Sequence, residues 1–423
     1  MRHTRIAVLS VLALGAIAVS GCGSDDSSST TPSTAAATPA DTTAATTAST
    51  TTAPAATGDV PTAGDTTGRR AAAGYVYAGT EEQVAEAKAK GAADAGKTTK
   101  APTGKTIGII QLSGQSATSK SIVQASRDIA KLFGYKVVVC DPNFDAQKVP
   151  QCATSIASQK PDVVFSVSQN PGPMGSGVKQ VADAGGLWFG TGSESEPSPY
   201  IDDYGIDGIA LSQVLDSFMF KTIDEKNPGS NKKIFSITAP TVGLASKNSG
   251  EQLKKDVAAQ SGYSLIDHNL DLANAVQDTL NTTRQTLEQN PDLAAVWTLC
   301  DFCVPLMAQT VSAKQPDRKT VVVGQFSSPE SIADVRKGTV DGIADYAWSL
   351  PVWVGMDQAL EKWANGKDPV KGDDVFASYS LPFMKPYVIT KENALASGPA
   401  PVYGPDYESY FKAKWAKEFG IGA

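Results

Sequence analysis

The chain predicts an α/β fold of two Rossmann-like lobes, each a largely parallel sheet wound with helices, and three observations carry that expectation. From Thr106 onward, β-branched apolar runs recur, each followed by a segment of helical period. Near Tyr204 the alternation restarts, which implies two similar units in tandem. The stretch from Lys105 to Ala423 holds roughly 320 residues, more than one hydrophobic core usually covers, so two lobes with a cleft between them fit the length.

The first unit reads as strand "TIGIIQL", helix Ser119 to Phe133, strand "KVVVC", helix Ala146 to Gln159, strand "DVVFSV", helix Met174 to Ala184 and strand "GLWFGT". The second reads as helix Ile209 to Ile223, strand "KKIFSIT", helix Ala245 to Gln260, strand "YSLID", helix Ala275 to Gln289 and strand "LAAVWTL". It continues through helix Val304 to Ala313, strand "TVVVGQF", helix Ser331 to Lys337 and strand "DGIADYA". In the tail, Tyr407, Tyr410, Phe411, Trp415 and Phe419 recur at helical spacing, as expected of a helix docked on the fold. Sheets of this kind bind ligands where loops leave the carboxyl ends of strands.

Ahead of the fold, Arg2 and Arg5 precede an apolar run from Ile6 to Val19, which ends in Ser20-Gly21-Cys22. This pattern predicts a lipoprotein leader over 1–21, with Cys22 as the lipid-accepting residue. The run is too short and interrupted for a stable membrane span, whereas a diacylated cysteine supplies the two chains that stable anchoring takes. Residues 22–70 are almost wholly Ser, Thr, Ala, Pro, Asp and Gly, with Val60 the one large apolar residue. Such a segment cannot bury enough surface to offset its ordering entropy, and it is expected to be a disordered tether open to glycosylation. A short charged helix, about Thr80 to Gly91, is expected within 71–104.

Composition narrows the function classes. The formal charge is −7, two units more negative once Arg2 and Arg5 leave with the leader, and no basic patch suggests nucleic acid. His3 and His268 are the only histidines, which argues against a His-based metal centre and weakens a Ser-His-Asp reading; His268 is expected at the surface beside a strand end. Neither GxSxG, nor a phosphate-binding loop, nor HExxH occurs, so no enzyme chemistry, cofactor or metal is expected.

Four cysteines follow Cys22, an even number for which disulfides are the default in an exported protein. Cys140 ends the second strand and Cys152 lies on the following helix, so a bridge across the "DPNFD" loop is geometrically reasonable. Cys300 and Cys303 form "CDFC" at a strand-to-helix turn, where a short structural disulfide, a redox pair and half a zinc site are the alternatives.

The order and spacing of several segments resemble the type I periplasmic binding proteins, the ribose- and galactose-binding group that shares its fold with LacI-type sensor domains. The segments are "YKVVVCDPNFDAQK" with "QKPDVVFSV", then "VVVGQFSSPESIADVRKGTVDGIADYAWSLPVWVGMDQALEKWANGK" and "KPYVITKEN", within about Lys105 to Ala394. The resemblance implies three crossings between lobes, near Tyr204, Asp345 and Pro382, forming a three-strand hinge. Lobe 1 would then hold 105–204 and 346–381, lobe 2 would hold 205–345 and 382–394, and 395–423 would be the tail. It also implies ligand contacts just past the strands: Ser113, Gln115, Asn143, Phe144, Gln169, Asn170, Thr191 and Ser193 in lobe 1. In lobe 2 and the hinge they are Lys247, Asp301, Phe302, Gln325, Phe326, Asp345 and Trp348.

This chain departs from the sugar-binding pattern of the group it resembles. The Asp-Arg pair usual after the fourth strand is Gly192-Ser193 here, and the usual Arg of the second lobe falls near Ala245, with Lys247 the nearest cation. A usual Asn becomes Cys300 and a usual Asp becomes Phe326, while Asp301 persists and Asp345 takes the place of a hinge Gln. Phe144, Phe302, Phe326 and Trp348 with Asp301 and Asp345 would suit a cation held on aromatic faces, and the same aromatics are equally compatible with core packing. The expectation is a monomeric, lipid-anchored, extracytoplasmic solute-binding protein that delivers a small molecule to an ABC transporter permease; the resemblance implies a sugar-like solute, while the loss of most polyol-gripping residues makes a more apolar, aromatic or cationic one credible. The alternative is a sensor that presents its closed form to a membrane receptor or kinase.

Overall fold

The computed structural model describes residues 81–317, 319–372, 374–379, 386–394 and 406–421. The expected leader, Cys22 and the tether lie outside them. Helix α1 (Glu81–Asp94) comes first, followed by β1 (Thr106–Ile110), α2 (Ala117–Phe133), β2 (Lys136–Cys140) and α3 (Val149–Ser158). β3 (Val163–Val167), α4 (Pro171–Asp183), β4 (Leu187–Thr191) and the short β5 (Asp202–Asp203) complete the first sheet, with strand order β2-β1-β3-β4-β5 and every pairing parallel.

The second unit runs α5 (Gly208–Lys226), β6 (Lys233–Thr238), α6 (Leu244–Ala259), β7 (Ser264–Asn269), α7 (Ala275–Gln289) and β8 (Ala295–Thr298). After α8 (Cys303–Lys314) come β9 (Val321–Gln325), α9 (Pro329–Lys337) and β10 (Gly342–Asp345). β11 (Tyr387–Ile389) closes the sheet, whose order is β11-β10-β9-β8-β6-β7. Among the described residues of this sheet only the β10 and β11 pair is antiparallel, with Ile343 opposite Ile389. Between those strands lie α10 (Leu350–Asn365) and α11 (Asp374–Ala377), and α12 (Tyr407–Phe419) follows β11.

Strand character follows from helices covering both faces of each sheet. Every residue of β3 and of β9 is buried, which is why both read as unbroken apolar runs. The edge strands β2 and β7 mix exposed with partly buried positions. Helix α2 turns Ile122, Val123, Ile129 and Ala130 inward, and Gly134, at φ 71°, ends it in the left-handed conformation that suits glycine.

Element boundaries differ from the sequence reading where caps decide them. Helix α2 starts at Ala117, not Ser119, because Ser116 caps it, its Oγ accepting from the Ser119 amide. Helix α4 starts at Pro171, not Met174, since a first-turn proline loses no helical hydrogen bond. β7 extends to Asn269, which puts the partly exposed His268 inside the edge strand with Nε2 2.8 Å from Asp278 Oδ2.

The chain leaves the first sheet after Asp203 and enters α5 at Gly208; it leaves the second after Asp345 and returns in α10 to the first. There Gly355 admits the rings of Phe165 and Phe189, which would stand 2.8 and 3.2 Å from a Cβ. The crossing expected near Pro382 lies outside the described residues. The tail helix docks on this lobe: Tyr407, Tyr410, Phe411, Trp415 and Phe419 are buried, and Trp415 stacks on Trp353 of α10 with ring centroids 5.4 Å apart. Helix α1 covers α12 so closely that a Cβ at Gly91 would meet the Tyr410 carbonyl at 2.1 Å.

Candidate ligand cleft

In each sheet the chain winds outward from a central pair of strands. β1 is flanked by β2 and β3, and β6 by β7 and β8. The crevices beyond the carboxyl ends of β1 and β3, and of β6 and β8, are the topological switch points where such sheets accept ligands. The loops that leave these four strands meet one another across the two lobes.

The loop after β8 meets the loop after β1. Asp301 accepts through Oδ2 from the Ser116 hydroxyl at 3.0 Å, the Ala117 amide at 2.9 Å and the Thr118 amide at 3.4 Å, all at the start of α2. The loop after β6 meets the loop after β3, where a Cβ on Gly243 would lie 3.4 Å from the Ser168 carbonyl oxygen. Beside these contacts Phe144 faces Phe302, with centroids 6.1 Å apart and planes tilted by 53°, and Asn248 donates to Glu194. Backbone in the left-handed region gathers here, at Asn143 (φ 54°), Phe144 (φ 62°), Ser168 (φ 52°) and Phe326 (φ 68°). Such conformations cost free energy in non-glycine residues and cluster at ligand-handling sites.

No family model matches the chain, and no curated protein does. Solved structures are similar to it over nearly their whole length. An ABC transporter solute-binding protein from Actinobacillus succinogenes, solved with D-allose, has a TM-score of 0.59 at 14% identity, over 69% of this chain and 99% of that one. One from Mycobacterium smegmatis, solved with glycerol, has a TM-score of 0.59 at 15% identity, over 71% and 100%. One from Burkholderia graminis, in complex with D-arabinose, has a TM-score of 0.59 at 15% identity, over 70% and 98%. The chain has the type I periplasmic binding protein fold.

Within this type I fold the expected contact residues divide into three groups. Ser113, Gln115 and Asn143 form one polar cluster at the lobe 1 rim: the Ser113 hydroxyl and the Gln115 amide nitrogen each donate to Asn143 Oδ1 at 3.1 Å. Asn143 and Gln115 are exposed, and Phe144 and Phe302 are part-buried beside them. Gln169 reaches back to the Gln111 carbonyl at 3.4 Å, whereas Asn170 keeps its buried Oδ1 without a partner at the start of α4. Ser193 is part-buried, its amide donating to Ser168 Oγ, and Lys247 is exposed on α6.

A second group points inward. Thr191 is buried with its hydroxyl on the Ser166 carbonyl, and Gln325 is buried between the hydroxyls of Ser212 and Ser249. Both end central strands on the core side. The third group is committed to the hinge or to the facing lobe. Asp345 Oδ1 takes the Trp348 indole N–H and the Tyr346 amide, each at 2.7 Å, and Oδ2 takes the Ser327 hydroxyl. Phe326 stands edge-on to Trp348 with centroids 4.5 Å apart. Asp301 is buried against the start of α2; burial raises its pKa, and the hydrogen bonds from Ser116, Thr118, Phe302 and Ala117 act against that rise. The two carboxylates that would neutralise a cation are thus engaged by the protein's own donors.

Sequence reasoning missed Ser116, Ser168, Glu194, Gly243 and Asn248, which make the contacts between lobes. The N-cap pattern at Ser116 was the one signal within reach, since a helix start after a first β strand lies at the switch point. Both cysteine pairs are bonded: Cys140 with Cys152, Cα atoms 5.4 Å apart, and Cys300 with Cys303, 5.1 Å apart. Among the described residues no group of three or more His, Cys, Asp or Glu could hold a metal ion, and no helix is long and apolar enough to cross a membrane.

Proposed function

We propose that the chain is a solute-binding protein of an ABC importer, tethered through a lipid on Cys22 at the extracytoplasmic face of the cell membrane. It acts as a monomer that closes two lobes on a small molecule and hands it to a permease. The observation that carries this reading is the meeting of the two switch points, β1 and β3 against β6 and β8, a geometry in which one ligand touches both lobes and shifts the balance between open and closed forms. The fold neighbours solved with D-allose, glycerol and D-arabinose support a neutral, hydrogen-bonding solute.

The cleft groups left free for a ligand favour the same class. They are Gln115 Oε1 and Asn143 Nδ2, the outward halves of two amides already joined to each other, the unpartnered oxygen of Asn170 and the part-buried Ser193, with Phe144 and Phe302 as an apolar wall. Amide dipoles orient a neutral ligand while aromatic faces cover its apolar side. Asp301 and Asp345 are engaged elsewhere, which disfavours a cation. A thermal-shift screen of the full chain against sugars, polyols, amides, polyamines and aromatic acids tests the reading. A neutral polyhydroxy or amide-bearing solute should raise the melting temperature by mass action, whereas a response to polyamines alone, or to nothing, would overturn it. Uptake of the solute by intact cells, lost on deletion of the gene, separates transport from sensing.

A further inference from the structure

The loop after β8 is closed into a four-residue ring by the Cys300–Cys303 disulfide, and the two residues it encloses, Asp301 and Phe302, are the ones that touch the other lobe. Cys303 is buried in lobe 2 at the start of α8, and the Cys303 and Val304 amides both return to the Cys300 carbonyl, so the ring is fastened to the lobe that presents it. Within the ring, Asp301 Oδ1 takes the Phe302 amide at 2.8 Å, which leaves Oδ2 directed at α2.

Helix α2 supplies the complementary half. An α-helix begins with amides that have no partner inside the helix. Two of the first four are met inside lobe 1: the Ser116 amide donates to the Ser113 carbonyl, and the Ser119 amide donates to Ser116 Oγ. The remaining two, Ala117 and Thr118, are the ones that Asp301 takes from the opposite lobe. The cap of a lobe 1 helix is therefore completed by a lobe 2 carboxylate, and the positive end of the helix dipole adds to the attraction. The facing loop is braced in a similar way: Phe144 lies inside the ring closed by Cys140 and Cys152, with its amide on the Leu112 carbonyl.

From this geometry we infer that the Cys300–Cys303 ring is a closing latch. It holds Asp301 as a cross-lobe helix cap and Phe302 against Phe144, so that the closed form is populated before any ligand arrives. Asp301 is in this view a positioning residue for closure, not a contact to the solute. The inference rests on the proposed opening and closing of the lobes, and it makes a prediction about the ligand-free chain.

Hydrogen exchange of the ligand-free full chain tests it, read at Ala117 and Thr118, with Gly172 at the start of α4, which has no side-chain cap, as the internal comparison. The latch requires Ala117 and Thr118 to exchange at least about tenfold more slowly than Gly172, and to lose that protection in Asp301→Ala, although the substitution lies in the other lobe. Asp301→Asn, which keeps the volume and one acceptor, should lie between, and mid-helix amides of α2 report that the lobe remains folded. The double variant Cys300→Ser/Cys303→Ser should show the same loss as Asp301→Ala. Exchange at Ala117 and Thr118 as fast as at Gly172 in the wild type, or unchanged in Asp301→Ala, sinks the latch. Retained protection in the double cysteine variant removes the ring from it. A negative solute screen with protection intact would defeat the transport reading and leave the latch standing.

Discussion

Trp348 shows how a residue at the cleft can be committed to structure. Its indole N–H donates to Asp345 at 2.7 Å while its ring braces Phe326, whose backbone lies at φ 68°. A buried carboxylate deprived of a donor bears much of the desolvation cost of its charge, so Trp348→Phe, which keeps the ring contact and deletes the donor, should destabilise the chain by about 1.5 to 3 kcal/mol. Urea denaturation followed by circular dichroism measures this. Little change would mean that the donors left to Asp345, the Tyr346 amide and the Ser327 hydroxyl among them, suffice to satisfy it. The sequence marked Asp345 and Trp348 as neighbours at the hinge, but their bond depends on the local turn after β10, which periodicity does not encode.

Helix α12 brings a charged cluster into the interior at the scale of an element. Lys414 sits 2.8 Å from Asp357 Oδ1, 3.0 Å from Glu418 Oε2 and 3.3 Å from Glu361 Oε1, between α12 and α10. Burial opposes the charge on Lys414, but Asp357 and Glu418 outweigh it and keep the ammonium protonated. Glu418 is pushed up to about 7, first by burial and then by its hydrogen bond with Glu361. The folded chain therefore retains a proton on this carboxyl pair that the unfolded chain, near its ordinary 4.5, has released. Stability from this group is greatest below that ordinary value, falls as pH rises from there through about 7, and is level above. Melting temperatures across about pH 5 to 8 should decline along this course, and Glu418→Gln should flatten it; an identical slope in the variant would show that other groups set it.

The Cys140–Cys152 bridge also acts between elements, since it ties the end of β2 to α3 and closes a ring over 12 positions. Its removal by Cys140→Ser/Cys152→Ser should cost about 2 to 3 kcal/mol, mainly through the freedom regained by the unfolded chain. Differential scanning calorimetry of the double variant checks this, and an unchanged stability would mean that the β1 and β2 pairing holds the loop unaided. This bridge was legible in the chain because a strand end and the next helix are close in sequence as well as in space. The docked α12 was legible for a related reason: Tyr407, Phe411, Trp415 and Phe419 mark one buried face.

At the scale of the whole molecule, the loops at the switch points of two wound sheets touch one another, and the proposed function lies there. Their lobe-to-lobe contacts join residues up to 185 positions apart. The alternation of strands and helices and the second winding that starts after Tyr204 were determined by the sequence alone, because each rests on short-range patterns of burial and spacing, whereas for Cys300 and Cys303 the structure chose the disulfide among the alternatives. Only the tertiary structure decided what each strand-end polar group does. Thr191 and Gln325 turn into the core, Gln115 and Asn143 line the rim, and Asp301 caps a helix of the opposite lobe. The physical reason is that the role of a carboxylate or amide is set by the donors within about 3 Å of it, and the fold brings those donors from distant parts of the chain.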